Sequence, residues 1–192
     1  DPMMSDSPRT YPDETVCGFP VPPSTFDDRE CRDLEVRALV EDDETDVEAL
    51  VEMYTAFDPE DRAQGIPPSG EKRIRDWLDT LLAGGVNVAV WHADDLVGHA
   101  TLVPEATDPD PAEFAEVEWE LAIFVLREYQ GAGIGTELLE HLLGYATERG
   151  IERVWLTVER WNTAAISVYE SVGFEICGSE SFEQEMAIVL EP

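Results

Sequence analysis

The segment Gln130-Gly131-Ala132-Gly133-Ile134-Gly135 joins an apolar stretch that predicts a strand, residues 117–126, to an amphipathic stretch that predicts a helix, residues 133–149. The first turn of a helix has backbone N–H groups without helical acceptors and carries a partial positive charge. Glycines let a ligand approach the backbone closely and adopt positive φ angles readily. The segment therefore predicts an anion site, and a phosphate group is the expected ligand.

Several interpretations of this glycine-rich segment compete. A dinucleotide-binding fold requires G-x-G-x-x-G, and Thr136 stands where the third glycine would be. A P-loop requires a lysine followed by serine or threonine, and no lysine follows these glycines. A plain glycine-rich turn without a ligand also fits the residues. The segment alone leaves the fold open, so the flanking sequence has to decide.

The hydrophobic periodicity along the chain predicts a single α/β domain that starts near residue 33. The predicted order of elements is β-α-α-β-β-β-α-β-α-β-β. Its strands are expected at 34–40, 86–92, 96–103, 117–126, 154–158, 176–177 and 185–190, and its helices at 43–57, 71–83, 133–149 and 162–172. Residues 1–32 are rich in proline and lack periodicity, so we expect an N-terminal arm that is partly disordered or strapped over the domain.

Several segments of this order together resemble the GNAT superfamily of N-acetyltransferases. Gln130-x-x-Gly133-x-Gly135 is similar to the superfamily's Arg/Gln-x-x-Gly-x-Gly/Ala signature. The similarity extends to the segments Glu-Leu-Ala-Ile-Phe-Val at 120–125, Leu-Leu at 138–139, Asn-Thr-Ala-Ala-Ile at 162–166 and Tyr-Glu-Ser-Val-Gly-Phe at 169–174. The resemblance covers about residues 34–190. It implies an α/β (α+β) GNAT fold over 33–192, with a mixed, mostly antiparallel sheet of about seven strands and four helices.

The resemblance also implies a site for acetyl-CoA, the acyl donor, with no metal. In the superfamily the loop amides hold the CoA pyrophosphate, and the preceding strand pairs its backbone with pantetheine where two strands splay apart. Carried over to this chain, the donor site comprises Ile123, Phe124, Val125, Gln130, Gly131, Ala132, Gly133, Ile134, Gly135, Thr136 and Asn162. Gly133 and Gly135 are expected to make the closest approaches, and Asn162 fits equally well as an ordinary helix N-cap.

Two side chains are the candidate catalytic residues by the same resemblance. Tyr169 corresponds to the usual proton donor for the leaving sulfur, because a tyrosine with a pKa of about 10 stays protonated at neutral pH. Glu120 corresponds to a general base in protein acetyltransferases, with Glu118 in reserve. A half-buried core aromatic is the alternative for Tyr169, and a solvated strand residue is the alternative for Glu120. Some members, N-terminal peptide acetyltransferases included, carry a glutamate where this chain has Thr157. The threonine therefore disfavours the N-terminal amine of a peptide as the acceptor.

The charge of the chain is its most unusual feature. It has 43 acidic and 12 basic residues, for a formal net charge of −31, and Lys72 is its single lysine. Acid spread along the whole chain is typical of proteins from salt-rich cytoplasm, because about 1 M salt screens the repulsion. Nucleic acid is an unexpected partner, since its binding depends on lysine and arginine. Without an apolar run of about 18 residues or a secretory signal, we expect a cytoplasmic protein, monomeric or homodimeric, that does not contact membranes.

Two functions remain after these observations. The first is an N-acetyltransferase that moves an acetyl group from acetyl-CoA to a primary amine by direct attack, with a protein lysine or a small amine as acceptor. The second is a GNAT-like module that binds acyl-CoA as a sensor or interaction domain without turnover. Tyr169 favours the enzyme. The three cysteines show no metal-ligand spacing, and His99 is expected to be a hydrogen-bonded core histidine.

Overall fold

The computed structural model describes residues 9–41, 43–57, 59–61 and 67–192, and its strands form one eight-stranded sheet in the order β1-β2-β3-β4-β5-β6-β8-β7. The strands are β1 Ser24–Asp27, β2 Asp33–Ala38, β3 Val86–His92, β4 Asp95–Pro104, β5 Glu118–Val125, β6 Arg153–Glu159, β7 Glu175–Ser179 and β8 Glu183–Val189. The α-helices are α1 Glu44–Thr55, α2 Glu71–Gly84, α3 Ile134–Glu148 and α4 Thr163–Val172.

The predicted fold is confirmed, and the order of elements from β2 onward is the predicted one. The difference is at the start of the chain. Ser24–Asp27 pairs antiparallel with β2, so the sheet has eight strands where about seven were expected. This strand comes from the proline-rich region assigned to the arm. The expected disorder of that arm falls partly on residues 1–8, which lie outside the described residues.

Two apolar clusters lie on opposite faces of the sheet, because successive strand residues point to opposite faces. Helices α3 and α4 pack on one face, where Leu138, Leu142 and Val172 contact strand residues such as Trp119 and Val154. Helices α1 and α2 cover the other face over β3 and β4; their buried residues include Leu50, Tyr54, Ile74 and Leu78. Strands β6, β8 and β7 extend beyond α1 and α2 on this second face.

The sheet opens between β5 and β6, which form its parallel pair. Their pairing starts at Glu118 with Arg153 and ends at Glu120 with Trp155. Beyond that point β5 continues to Val125 and β6 to Glu159 without pairing to each other. The end of β5 is anchored on the α1 side, since the ring of Phe124 packs against Tyr54 at 5.6 Å. The sequence pattern did not reveal this opening, which was inferred by resemblance alone.

The N-terminal arm wraps from one face of the domain to the other. Arg9 and Tyr11 lie on the face that α1 and α2 leave open, beside Glu118. Val16 then pairs with the last sheet residues, donating its N–H to Val189 O at 2.9 Å. Further on, the Pro20 carbonyl lies so close to Gly144 of α3 that a Cβ there would overlap it. Within the described residues, no helix combines the length and apolar character needed to cross a membrane.

Candidate active site

A cavity of about 540 Å³ fills the opening between β5 and β6. The N-terminal half of α4 and the start of α3 close it from one side. Seven of the predicted site residues line it: Ile123, Phe124, Val125, Gln130, Gly135, Asn162 and Tyr169. The structure thus brings the end of the strand, the glycine segment and α4 together, although the lining residues Ile123 and Tyr169 are 46 positions apart in sequence.

Peptide groups of β5 face this cavity where β6 has moved away. Glu105 N–H donates to Glu118 O and Leu126 N–H donates to Val97 O, so the even-numbered residues of β5 bond to β4. Because the N–H and C=O of one strand residue point to the same edge, those of Ile123 and Val125 face the opening. The Val125 carbonyl accepts from the Gln130 side chain at 3.0 Å. Phe124 therefore contributes its ring to the cavity, whereas its peptide groups belong to the sheet.

The glycine segment has the backbone conformation that its residues predict. Gly131 and Gly133 have φ angles of +74° and +91°, in the left-handed region where other residues are strained. Gly133 is the N-cap of α3 and supplies no capping side chain to the first-turn N–H groups, which have no acceptor within the helix. Gly135, in that turn, lines the cavity. These groups could hold an anion such as a pyrophosphate at the cavity's end.

Not every residue predicted for the donor site faces this cavity. Ala132, Gly133 and Thr136 line a separate depression on the other side of the loop, together with Arg29 of the arm. Arg29 also donates its backbone N–H to Ala132 O at 3.0 Å. The Ile134 side chain is buried in the core beneath α3. For these residues only the backbone is available to a ligand in the opening.

Tyr169 lies at the junction of two cavities. It lines the larger one and also a neighbouring cavity of about 270 Å³ that contains Glu120 and Thr157. Its half-buried ring packs on Phe174 at 5.8 Å, and burial raises its pKa to about 12. The phenol is therefore protonated at neutral pH. About two turns before it, Asn162 caps α4 by accepting from Ala165 N–H at 3.2 Å while it lines both cavities.

Glu120 lies on the exposed rim of the smaller cavity, on the face that α1 and α2 leave open. Partial desolvation raises the pKa of its carboxyl, and the charges of Glu105, Glu183 and Glu185 raise it further against the opposing effect of Arg9. A carboxylate with a raised pKa is a stronger base. Glu118, the reserve candidate, accepts hydrogen bonds from Tyr11 at 2.8 Å and from Arg9 at 3.3 Å. These partners make Glu118 the weaker candidate for a base.

Sequence reasoning missed several residues that line the larger cavity. Phe57 and the carboxylates of Glu60 and Asp61 reach it from the segment after α1, and Glu159 reaches it from β6. Arg127 bonds to Asp61 at 3.0 Å and to Glu60, which reduces their repulsion of an anionic ligand. Glu159 could have been found, because it shares a strand face with Thr157. Nothing in the residues around Glu60 indicated that this segment approaches the opening.

His99 is part of a buried polar chain below α1 rather than of the cavities. Tyr54 Oη lies 2.6 Å from its Nδ1, and Asn87 Oδ1 lies 2.8 Å from its Nε2. Since the Asn87 amide nitrogen donates to Leu81 O, its oxygen is the acceptor and His99 donates from Nε2. Complete burial lowers the pKa of His99 to about 3, so the ring is neutral. The expected core histidine is what the structure shows.

An opening lined by peptide groups of β5, uncapped N–H groups at the start of α3 and a protonated tyrosine fit an acyl-CoA-dependent N-acyltransferase. The family model described as the acetyltransferase (GNAT) family matches residues 47–174. The chain therefore belongs to the GNAT family, and acetyl-CoA is its acyl donor. Among the residues that the structure describes, no three His, Cys, Asp or Glu side chains are grouped to hold a metal ion.

Individual relatives agree with the family assignment. The chain is 33% identical over 129 residues to the ribosomal protein bS18-alanine N-acetyltransferase of Escherichia coli (strain K12), covering 64% of this chain and 74% of that protein. It is 30% identical over 107 residues to a probable spermine N(1)-acetyltransferase of Bacillus subtilis subsp. natto, covering 54% and 68%. Among solved structures, the GNAT domain of S. lividans PAT matches with a TM-score of 0.70 at 22% identity, covering 88% of this chain and 97% of that one.

Proposed function

We propose that the enzyme transfers the acetyl group of acetyl-CoA to a primary amine by direct attack, and that the acceptor is a protein lysine side chain or a small amine. The position of Tyr169 carries this proposal. Its ring lines both the larger cavity, which has the predicted donor residues, and the smaller one, which has Glu120. A group at this junction can reach both the leaving sulfur and the acceptor side. The relatives support an amine acceptor in general and differ in which amine they use.

Each side chain has one task in this proposal. Acetyl-CoA supplies the acetyl group and leaves as the thiol. The peptide groups of Ile123 and Val125 align the donor, while the first turn of α3 holds its pyrophosphate. Glu120 accepts the proton that the ammonium group must lose before nitrogen can attack. Tyr169 gives its proton to the sulfur as the carbon–sulfur bond breaks. The phenolate then recovers, through solvent, the proton that the attacking nitrogen loses as it becomes an amide, and Glu120 releases its proton to solvent.

The expected setting is a salt-rich cytoplasm, where a monomer or homodimer would work without nucleic acid or membrane partners. The net charge of −31 supports the high-salt setting, because screening by about 1 M salt removes most of the repulsion between carboxylates. Assays therefore belong in molar KCl.

The test is release of CoA thiol from acetyl-CoA in about 1 M KCl. The acceptor panel should contain lysine peptides, peptides with an N-terminal alanine, polyamines and amino acids, each compared with a reaction that lacks acceptor. Thiol release with one class identifies the acceptor. Acetyl-CoA binding without release across the whole panel would favour the acyl-CoA sensor instead. Failure to bind acetyl-CoA would reject both.

A further inference from the structure

Arg9 of the arm occupies a site built for a cation on the open face of β5, β6 and β8. Its guanidinium lies over the Trp155 ring, 3.3 Å from the centroid. It pairs with Glu105 at 3.0 Å, Glu118 at 3.3 Å and Glu185 at 3.8 Å. The Arg9 side chain is 11% exposed, so it is almost fully enclosed by these groups. An aromatic face surrounded by carboxylates attracts cations strongly once water is excluded.

This cation site adjoins the acceptor side of the active site. Trp155 is the strand neighbour of Glu120 in the last pair before the sheet opens. Glu185 is the neighbour of Thr157, which lines the smaller cavity together with Glu120. Residues on one strand face repeat about every 6 to 7 Å, so the guanidinium lies roughly one row from the candidate base. The arm therefore stands where an acceptor would approach Glu120.

Two features of the described residues bear on what else this site could hold. Among those residues, three carboxylates lie around the guanidinium of Arg9. In addition, Trp155 is only 7% exposed, and its indole N–H is buried with no hydrogen-bond acceptor among the described residues. A buried donor without an acceptor costs free energy. The carboxylates favour an occupant that carries positive charge, and the indole shows that Arg9 does not satisfy every polar group around it.

We propose that the acceptor carries a second cationic group next to the amine that reacts, and that this group displaces Arg9 from Trp155, Glu105, Glu118 and Glu185. The arm then competes with the acceptor for one site. The proposal rests on the proposed function and adds a substrate class to it, namely an amine with a neighbouring guanidinium or ammonium group. Small polyamines and basic peptides both have this chemistry.

Binding without acetyl-CoA tests the proposal independently of catalysis. Agmatine, which has a primary amine and a guanidinium four carbons apart, is titrated calorimetrically into the wild-type protein and Arg9→Ala. We expect about tenfold tighter binding to Arg9→Ala, because no internal cation has to leave. Adding Trp155→Leu to Arg9→Ala should remove this gain. Butylamine, which lacks the second cation, should not distinguish the variants.

The matched control is Arg149→Ala, which removes an arginine from over the Tyr145 ring on α3, away from the site. Equal agmatine affinity for wild type and Arg9→Ala, or an equal gain with Arg149→Ala, would overturn the proposal. Arg9→Gln, which keeps a long polar side chain, serves if Arg9→Ala does not fold. In wild-type protein, saturating agmatine should move the Nε–H NMR signal of Arg9 to that of an exposed arginine; an unmoved signal contradicts displacement.

Spermidine, a polyamine, and alanyl-arginine amide, a basic peptide, test which of these two classes of amine supplies the second cation. If either compound binds Arg9→Ala about ten times more tightly than it binds wild type, the result supports the site and identifies a polyamine or a peptide as its ligand. If both compounds bind the two proteins equally, the proposal is overturned. If acetyl transfer is then measured, Arg9→Ala should lower KM for the preferred amine and leave KM for acetyl-CoA unchanged. Intact amine binding without acetyl transfer would instead reject the proposed function and leave the cation site standing.

Discussion

Among single residues, Tyr169 has the most direct role in the proposed mechanism, because its phenol stays protonated wherever the enzyme can be assayed. Burial raises its pKa to about 12. We expect Tyr169→Phe to lower kcat by about 10² to 10³, as for loss of a general acid, with little change in KM for acetyl-CoA. Tyr145→Phe on α3, which removes a hydroxyl bonded to Arg149, is the matched control. Steady-state thiol release measures both, and an unchanged kcat in Tyr169→Phe would remove this residue from the mechanism.

The raised pKa of Glu120 gives a pH-dependent prediction. As a base it works only when deprotonated, so activity should fall as pH decreases through a pKa above the ordinary glutamate value of about 4.3. We expect Glu120→Gln to lower kcat/KM by about 10² at neutral pH and by less at alkaline pH, where the amine is already neutral. Glu175→Gln, an exposed carboxylate on β7, is the control. A deficit that is constant across the pH profile would show that Glu120 is not the base.

The sequence predicted these two residues only because their surroundings resemble a known family. Neither spacing nor composition distinguishes Glu120 from the other 42 acidic residues. What makes it a candidate is the end of β5–β6 pairing at Glu120 itself, which depends on contacts made by Phe124 and by the distant α1. The carboxylates of Glu60 and Asp61 were missed for the same reason, because their approach to the cavity also depends on contacts between residues far apart in sequence.

At the scale of elements, the turn that starts α3 depends on glycine for its shape. Gly133 has φ +91° and Gly150, after the same helix, has φ +85°, with no close contact to block a methyl group at either position. Gly133→Ala and Gly150→Ala should each cost about 1 to 2 kcal/mol of unfolding free energy, since both force alanine into the left-handed region. Only Gly133→Ala should also raise KM for acetyl-CoA, because it distorts the predicted pyrophosphate site. An equal rise in both variants would contradict that assignment.

The polar chain Tyr54–His99–Asn87 connects α1 to β3 and β4 and makes stability depend on pH. The folded His99 has a pKa of about 3, whereas an unfolded histidine has about 6.5. Between these values the unfolded state binds a proton that the folded state does not. This difference lowers the unfolding free energy by about 1.4 kcal/mol for each pH unit below 6.5.

His99→Gln keeps a neutral donor and acceptor and removes this titration. Urea unfolding between pH 6.5 and 5 should therefore show a shallower loss of stability for His99→Gln than for wild type, by about 1.4 kcal/mol per pH unit. Above pH 8, where His99 is neutral in both states, the difference between the two proteins should be constant. Parallel curves over the whole range would mean that His99 titrates while folded.

Most elements could be predicted from sequence, and β1 shows why one could not. The amphipathic helices bury residues every three or four positions, as Leu138 and Leu142 do, so periodicity alone predicts them. Strand β1 has only four residues, which follow Pro22 and Pro23, and it forms because the arm returns to β2 after crossing α3 at Gly144. Such a strand depends on long-range contacts, which a local pattern cannot contain.

At the scale of the whole molecule, two electrostatic effects of salt oppose each other. Salt weakens favourable ion pairs such as those of Arg75 with Glu48 and Glu71. It also screens repulsion among 43 acidic residues that have only 12 basic partners. Exposed ion pairs contribute about 0 to 1 kcal/mol each, so a net charge of −31 should make the second effect dominate.

Raising KCl from about 0.1 to 1 M shortens the Debye length from about 10 to 3 Å, and we expect the protein to gain on the order of 3 kcal/mol of unfolding free energy. For a domain of this size that gain corresponds to a rise of about 6 to 12 °C in Tm, measured by circular dichroism. Choline chloride at equal ionic strength should give most of the same rise, because screening does not depend on the cation. Sucrose at equal osmolality should give much less. If KCl lowered Tm, or if sucrose raised Tm as much as KCl does, repulsion between carboxylates would not be what limits stability at low salt.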